Sequence, residues 1–82
     1  MGLTQADEFR DYRGVVCPSN YIRVTVDLIH MECGKTLEVL LDDGSPAHNV
    51  PFSLVKDGQT ILQKAKLGNH WSIVIRKDKD YE

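Results

Sequence analysis

Tyr21-Ile22-Arg23-Val24-Thr25-Val26-Asp27-Leu28-Ile29-His30-Met31 admits two incompatible readings. Ile22, Val24, Val26 and Leu28 alternate with Arg23, Thr25 and Asp27, a period of two in mostly β-branched residues that argues for a strand. The same residues also form two helical stripes, one of Ile22, Val26 and Ile29 and one of Tyr21, Val24, Leu28 and Met31. Eleven residues is long for a strand and ordinary for a helix, and Pro18 before it and Gly34 after it supply helix punctuation at both ends. On pattern alone the two readings are evenly matched.

Just upstream stands Gly14-Val15-Val16-Cys17-Pro18. Proline fixes its own φ and suits the first turn of a helix, so the preceding cysteine is placed at a helix N-terminus. Exposed N–H groups and the helix dipole favour negative sulfur there. Cys17 is therefore the candidate reactive residue. A small buried hydrophobe beside a helix start is the competing reading of the same pentapeptide.

The flanking segments punctuate more clearly. Phe9 to Tyr12 reads as a short strand closed by the turn at Gly14, and Leu37-Glu38-Val39-Leu40-Leu41 as a central strand ended by Asp42-Asp43-Gly44. Ser45 as N-cap and Pro46 as first helical residue open a second helix, in which Val50, Leu54 and Val55 recur up to Gly58, with an irregularity at Pro51. Thr60 to Lys66 and Trp71 to Lys77 read as a hairpin around Leu67-Gly68-Asn69-His70. Residues 1–8 read as a polar, disordered tail and 78–82 as a charged tail of the same kind, around a single domain over 9–77.

Composition narrows the function. At 82 residues there is room for one modest core and none for a separate cofactor domain. Ten Lys and Arg against twelve Asp and Glu, without a basic run, disfavour a nucleic-acid grip. No apolar run approaches a membrane span of roughly 20 residues and the start lacks signal-peptide order, so a cytoplasmic protein is expected. Cys17 and Cys33 do not make a disulfide scaffold. His30, His48 and His70 lack metal-ligand spacing, so no metal is expected. Asp42 and Asp43 fit a turn better than an acid/base pair, because adjacent residues at a strand end point to opposite sides.

Asp11-x-x-Gly14-x-x-Cys17-Pro18, Gly34-Lys35-Thr36-Leu37, Asp42-Asp43, Val50-Pro51 and Ile75-Arg76-Lys77 together resemble the TusA-like, or SirA-like, sulfur carrier family. The resemblance runs from about Phe9 to Lys77. It implies an α+β two-layer sandwich, β-α-β-α-β-β, with a mixed four-stranded sheet carrying both helices on one face; Tyr21 to Met31 is then the first helix. It implies a sulfurtransferase-type role in which Cys17 accepts sulfane sulfur as a persulfide from a cysteine desulfurase or rhodanese-like donor and passes it to an acceptor protein. No cofactor, membrane or nucleic acid is implied.

Under that resemblance Pro18 supports the site by stiffening the first turn, with Gly14 and Asn20 as further supporting residues. From its place near the Gly14 turn Arg13 could steer anionic sulfur species towards Cys17, against the plainer reading of a solvated charge. The best-known members read Cys-Pro-x-Pro, whereas this chain reads Cys17-Pro18-Ser19-Asn20. Asn20 replaces a ring with a hydrogen-bonding side chain able to serve the helix's first turn. Thr25 and Val26 stand where the tRNA-thiolation members carry basic residues, which weakens an electrostatic partner grip there and shifts the expectation to a more general sulfur-transfer role. Cys33, a helix length of nearly 20 Å from Cys17, is expected to fill a loop. The alternative to sulfur carriage is a non-catalytic interaction or regulatory module on the same fold.

Overall fold

The structure, a computed structural model, describes residues 6–81. Six elements follow in the order β1 (Glu8–Asp11), α1 (Ser19–Ile29), β2 (Thr36–Asp42), α2 (Ser45–Lys56), β3 (Thr60–Leu67) and β4 (His70–Arg76). The sheet order is β1-β2-β4-β3, with β1 parallel to β2 and the other pairings antiparallel. This is the expected mixed sheet with two helices, and the 21–31 stretch is helical. No helix among the described residues is long and apolar enough to cross a membrane.

The burial of α1 explains why its sequence looks like a strand. Val24 and Leu28, four apart, are fully buried, with Tyr21 and Met31 packed at the edges of the same core. Ile22, Val26 and Ile29 remain about half exposed. Two apolar stripes interleaved on one helix produce a period of two in sequence, and only one of them meets the sheet.

β2 holds the centre, its Leu37, Val39 and Leu41 buried at alternate positions. They meet Ile73 and Ile75 of β4, Val50 and Leu54 of α2, and Val24 and Leu28 of α1 in one cluster. The β3–β4 turn is Gly68-Asn69, with Leu67 paired to His70 and Gly68 at φ +70°. Leu62 sits in a bulge between Ile61 and Gln63.

Both helix starts differ from expectation by one residue. Pro18 is the N-cap of α1 rather than a residue of its first turn; its carbonyl accepts the Ile22 N–H at 3.0 Å. Gly44, not Ser45, caps α2, and its φ of +94° is a backbone conformation that serine would adopt only with strain. α2 runs without a break through Pro51, which is buried.

The tails also differ. Residues 1–5 and Glu82 lie outside the described residues. Asp7, however, is bonded to the backbone and hydroxyl of Thr36, and Glu8 already pairs with Leu37. Residues 78–81 fold back onto the domain. The Gln59 side chain accepts from the N–H groups of Asp78 and Lys79 at 2.8 and 3.1 Å and donates to the Lys79 carbonyl at 2.8 Å. The Tyr81 hydroxyl donates to Asp57 at 2.8 Å. Lys77, only 2% exposed, donates through Nζ to the Met31 carbonyl at 2.6 Å and pairs with Asp80 at 2.9 Å. A charge-rich sequence here conceals backbone and phenol groups that have partners to meet.

Candidate functional site

Cys17 lies in the connection between β1 and α1, and each residue before it is fastened. Tyr12 continues the β1–β2 ladder by donating its N–H to the Leu40 carbonyl at 3.0 Å. Its hydroxyl donates to Asp27 on α1, which also pairs with Arg10 at 3.4 Å. Burial, followed by that bond to Asp27, pushes the Tyr12 phenol up to about 12. The strand end and the helix are thus joined beneath the loop.

Arg13 grips Asp11 at two points, Nε and Nη2 lying 2.9 and 2.7 Å from its carboxylate oxygens. Asp11 also accepts the Arg13 N–H, and these bonds hold its carboxyl down at about 2. The guanidinium is therefore committed to closing its own turn. Gly14 follows at φ +84° and donates its N–H to the Asp42 carboxylate at 2.7 Å, while Val15 donates to the Tyr12 carbonyl at 3.2 Å. Asp42 at the end of β2 thereby anchors the loop to the centre of the sheet. Its neighbour Asp43 accepts from the Trp71 indole at 2.7 Å, so the two adjacent carboxylates serve different elements.

Asn20 fixes the other side. It is fully buried; its amide donates to the Val15 carbonyl at 3.3 Å, its side-chain oxygen accepts from the Tyr21 N–H at 2.7 Å, and its own N–H reaches the Val16 carbonyl at 3.1 Å. A proline here would supply none of these donors. Between the clamps, Val16 is 72% exposed and Cys17 is exposed and free. Among the described residues the Cys17 sulfur has no hydrogen-bond partner, so an accessible thiol sits on an anchored loop at the start of α1.

Beside it is a cleft of about 200 Å³, walled by Cys17, Pro18, Asn20 and Tyr21 from the start of α1 and by Asn49, Val50 and Ser53 from α2. The Tyr21 hydroxyl donates to Asp57, and burial together with that bond pushes the phenol up to about 12. Since Tyr81 meets the same carboxylate, α1, the end of α2 and the C-terminal segment are joined at one point. Asn49 and Ser53 were not indicated by the sequence, where they read as polar surface positions flanking the buried Val50 and Leu54. Nothing in their spacing refers to Cys17.

Cys33 lies past the other end of α1. Its sulfur is 3.7 Å from Asp80, and desolvation together with that carboxylate pushes the thiol up, opposing thiolate formation. A larger groove of about 350 Å³ at this end, lined by Asp7, Glu8, His30, Met31, Glu32 and Lys35, is remote from Cys17. His48 is exposed and stacks on Phe52 at 6.1 Å. Among the described residues no cluster of three or more His, Cys, Asp or Glu side chains could hold a metal ion.

The model of the family described as "Sulfurtransferase TusA" matches residues 9–77. An Archaeoglobus fulgidus protein bearing the name of a sulfur carrier protein is 36% identical over 74 residues, covering 89% of this chain and 84% of its own length. A Thermotoga maritima protein named in the same way is 30% identical over 77 residues, covering 93% of this chain and 98% of its own. The crystal structure of a SirA-like protein from Desulfitobacterium hafniense superposes with a TM-score of 0.74 at 23% identity, over 88% of this chain and 99% of that one. At that identity the superposition establishes the shared fold.

Proposed function

The chain belongs to the sulfurtransferase TusA family, and on that premise we propose that it is a sulfur carrier whose Cys17 holds sulfane sulfur as a persulfide between a donor protein and an acceptor protein. The observation that carries this reading is the state of Cys17: exposed, free, and presented by a loop tied to β2 through Gly14 and to α1 through Asn20. An anchored loop lets two proteins bring their reactive sulfurs together without first ordering the carrier.

In the acceptance step the Cys17 thiolate attacks the outer sulfur of a donor persulfide. A new S–S bond forms as the donor's own S–S bond breaks, and the electron pair of the broken bond leaves with the donor cysteine as thiolate. The positive end of the α1 dipole favours the negative charge that the product persulfide carries, while the Asn20 and Tyr21 N–H groups are themselves bonded to the Val16 carbonyl and the Asn20 side chain. Passing the sulfur on repeats the exchange with Cys17 as the leaving thiolate. Pro18 caps the helix behind the sulfur, while Gly14, Asn20 and the Arg13–Asp11 pair set the course of the loop.

The donor is of the cysteine desulfurase or rhodanese-like class and the acceptor is a protein thiol. The unit that performs the transfer is the single domain over 9–77, with Asp7, Glu8 and residues 78–81 folded against it. Cytoplasmic conditions, which keep thiols reduced, suit a carrier that must present a free cysteine. Incubation with a cysteine desulfurase and cysteine should add about 32 Da to the parent protein and to Cys33→Ser, and nothing to Cys17→Ser. Uptake by Cys17→Ser equal to that of the parent would defeat the reading. A Cys17→Ser variant that keeps both partner binding and cellular function would favour an interaction module instead.

A further inference from the structure

We propose that Asn49 and Ser53 of α2 supply the hydrogen bonds that hold the outer sulfur of the Cys17 persulfide in the cleft and assist its departure, an inference that rests on the sulfur-carrier reading of Cys17. The two residues are four apart, on one face of α2, and line the same cleft as Cys17. Their side chains have no hydrogen-bond partner among the described residues. The other polar walls are committed, Asn20 to Val15 and Tyr21 and the Tyr21 hydroxyl to Asp57. An Asn amide and a Ser hydroxyl together offer three donors, which is what an anionic sulfur requires.

The rest of the wall suits a small anion in transit. Pro18 and Val50 are apolar, and the residues lining the cleft include no carboxylate to repel the sulfur and no Lys or Arg to trap it. The volume of about 200 Å³ is several times the roughly 30 Å³ of one water molecule, enough for one added sulfur and a compact attacking group. Neutral donors draw off the negative charge on the outer sulfur, which would otherwise repel an arriving nucleophile, without the tight hold of an ion pair; the charge released as the S–S bond breaks goes to the Cys17 sulfur.

Cyanide serves as the small acceptor. It attacks the outer sulfur, a C–S bond forms as the S–S bond breaks, and the electron pair stays on Cys17 as thiolate while thiocyanate leaves. The parent protein, the double variant Asn49→Leu/Ser53→Ala and the conservative double variant Asn49→Gln/Ser53→Thr are loaded with a desulfurase and cysteine, then mixed with cyanide. Loaded to completion with excess desulfurase and cysteine, as its mass confirms, the Leu/Ala variant is expected to release thiocyanate about tenfold more slowly, the loss appropriate to charge-assisted hydrogen bonds. The Gln/Thr variant should recover most of the rate. Iodoacetamide alkylation of the unloaded Cys17 thiol should be unchanged throughout, which a loosened loop would not allow. Thiocyanate release at the parental rate from the Leu/Ala variant would overturn the inference, as would a parallel fall in thiol alkylation. A parent protein that takes up no sulfur on Cys17 would defeat the underlying reading as well, and is told apart by the mass of the parent alone.

Discussion

The N–H of Gly14 donates to the carboxylate of Asp42 at 2.7 Å, tying the loop that bears Cys17 to the end of the central strand. The bond bridges 28 residues of chain and places the reactive loop under the control of the best-packed part of the sheet. Gly14 holds φ +84°, and a Cβ built on it would meet nothing within 4 Å. The cost of Gly14→Ala is therefore one of backbone conformation alone, about 1 kcal/mol. A urea midpoint reports that loss, and sulfur uptake by Cys17 should slow in the folded variant. Parental stability and uptake together would mean that the loop does not need this conformation.

Asn20→Ala leaves the Val15 carbonyl and the Tyr21 N–H without their side-chain partner in a fully buried position. The expected destabilisation is about 1–3 kcal/mol by chemical denaturation. Asn20→Pro, which writes the best-known motif of the family into this chain, should lose at least as much, because it also removes the N–H bonded to Val16. A neutral Asn20→Pro would show that this subgroup's loop readily adopts the other architecture.

Leu28 and Val26 separate the two stripes of α1. Leu28→Ala removes a fully buried side chain and should cost about 2–5 kcal/mol, whereas Val26→Ala, on the half-exposed stripe, should stay within about 0.5 kcal/mol. Equal losses at the two sites would contradict the orientation of the helix.

Removal of residues 78–82 tests the C-terminal segment. It strips Gln59 of three hydrogen bonds, Asp57 of the Tyr81 hydroxyl and the buried Lys77 of Asp80. The thermal midpoint should fall by several degrees, about 2–3 kcal/mol of stability. A solvated tail would leave the midpoint where it was.

Acid and alkaline limbs of the stability profile have named origins. Asp11 is held at about 2, below the ordinary carboxylate value of 3.8, so its contribution is fully present above about pH 4 and disappears as pH falls towards 2. The pair with Arg13 is exposed, so the effect is small. Tyr12 and Tyr21 are raised from 10 to about 12, so what they contribute is complete below pH 10 and lost between 10 and 12. Thermal midpoints should show a gap between parent and Asp11→Asn at pH 5 that closes by pH 2, and a shallower alkaline fall in Tyr21→Phe. A gap that persists at pH 2 would contradict the assignment.

Much of this architecture can be read from the sequence because turn residues and strand periodicity act locally: Gly68-Asn69, Asp42-Asp43-Gly44 and the β2 alternation are all visible in the chain. The 21–31 stretch is not decidable locally, since two interleaved helical stripes mimic a strand and only contact with the sheet distinguishes them. The C-terminal segment was hidden for a related reason: the partners of Asp78, Lys79 and Tyr81 lie about twenty residues away on Gln59 and Asp57. At the site, Cys17 and Pro18 stand out as a dipeptide, and the departure at Asn20 is visible. Its bonds to Val15 and Tyr21 are local, but its burial and the placing of Asn49 and Ser53 in the same cleft as Cys17 depend on how α1 packs against α2.

The most direct test follows the sulfur to a residue. The protein is loaded by a cysteine desulfurase with isotopically labelled cysteine, freed of donor, alkylated and cleaved, and the peptides bearing Cys17 and Cys33 are weighed separately. The label should lie on the Cys17 peptide, as one added sulfur of about 32 Da, and should vanish from it when an acceptor thiol is supplied. Label on the Cys33 peptide, or on neither, would contradict the assignment of Cys17 as the carrier of sulfur in transit.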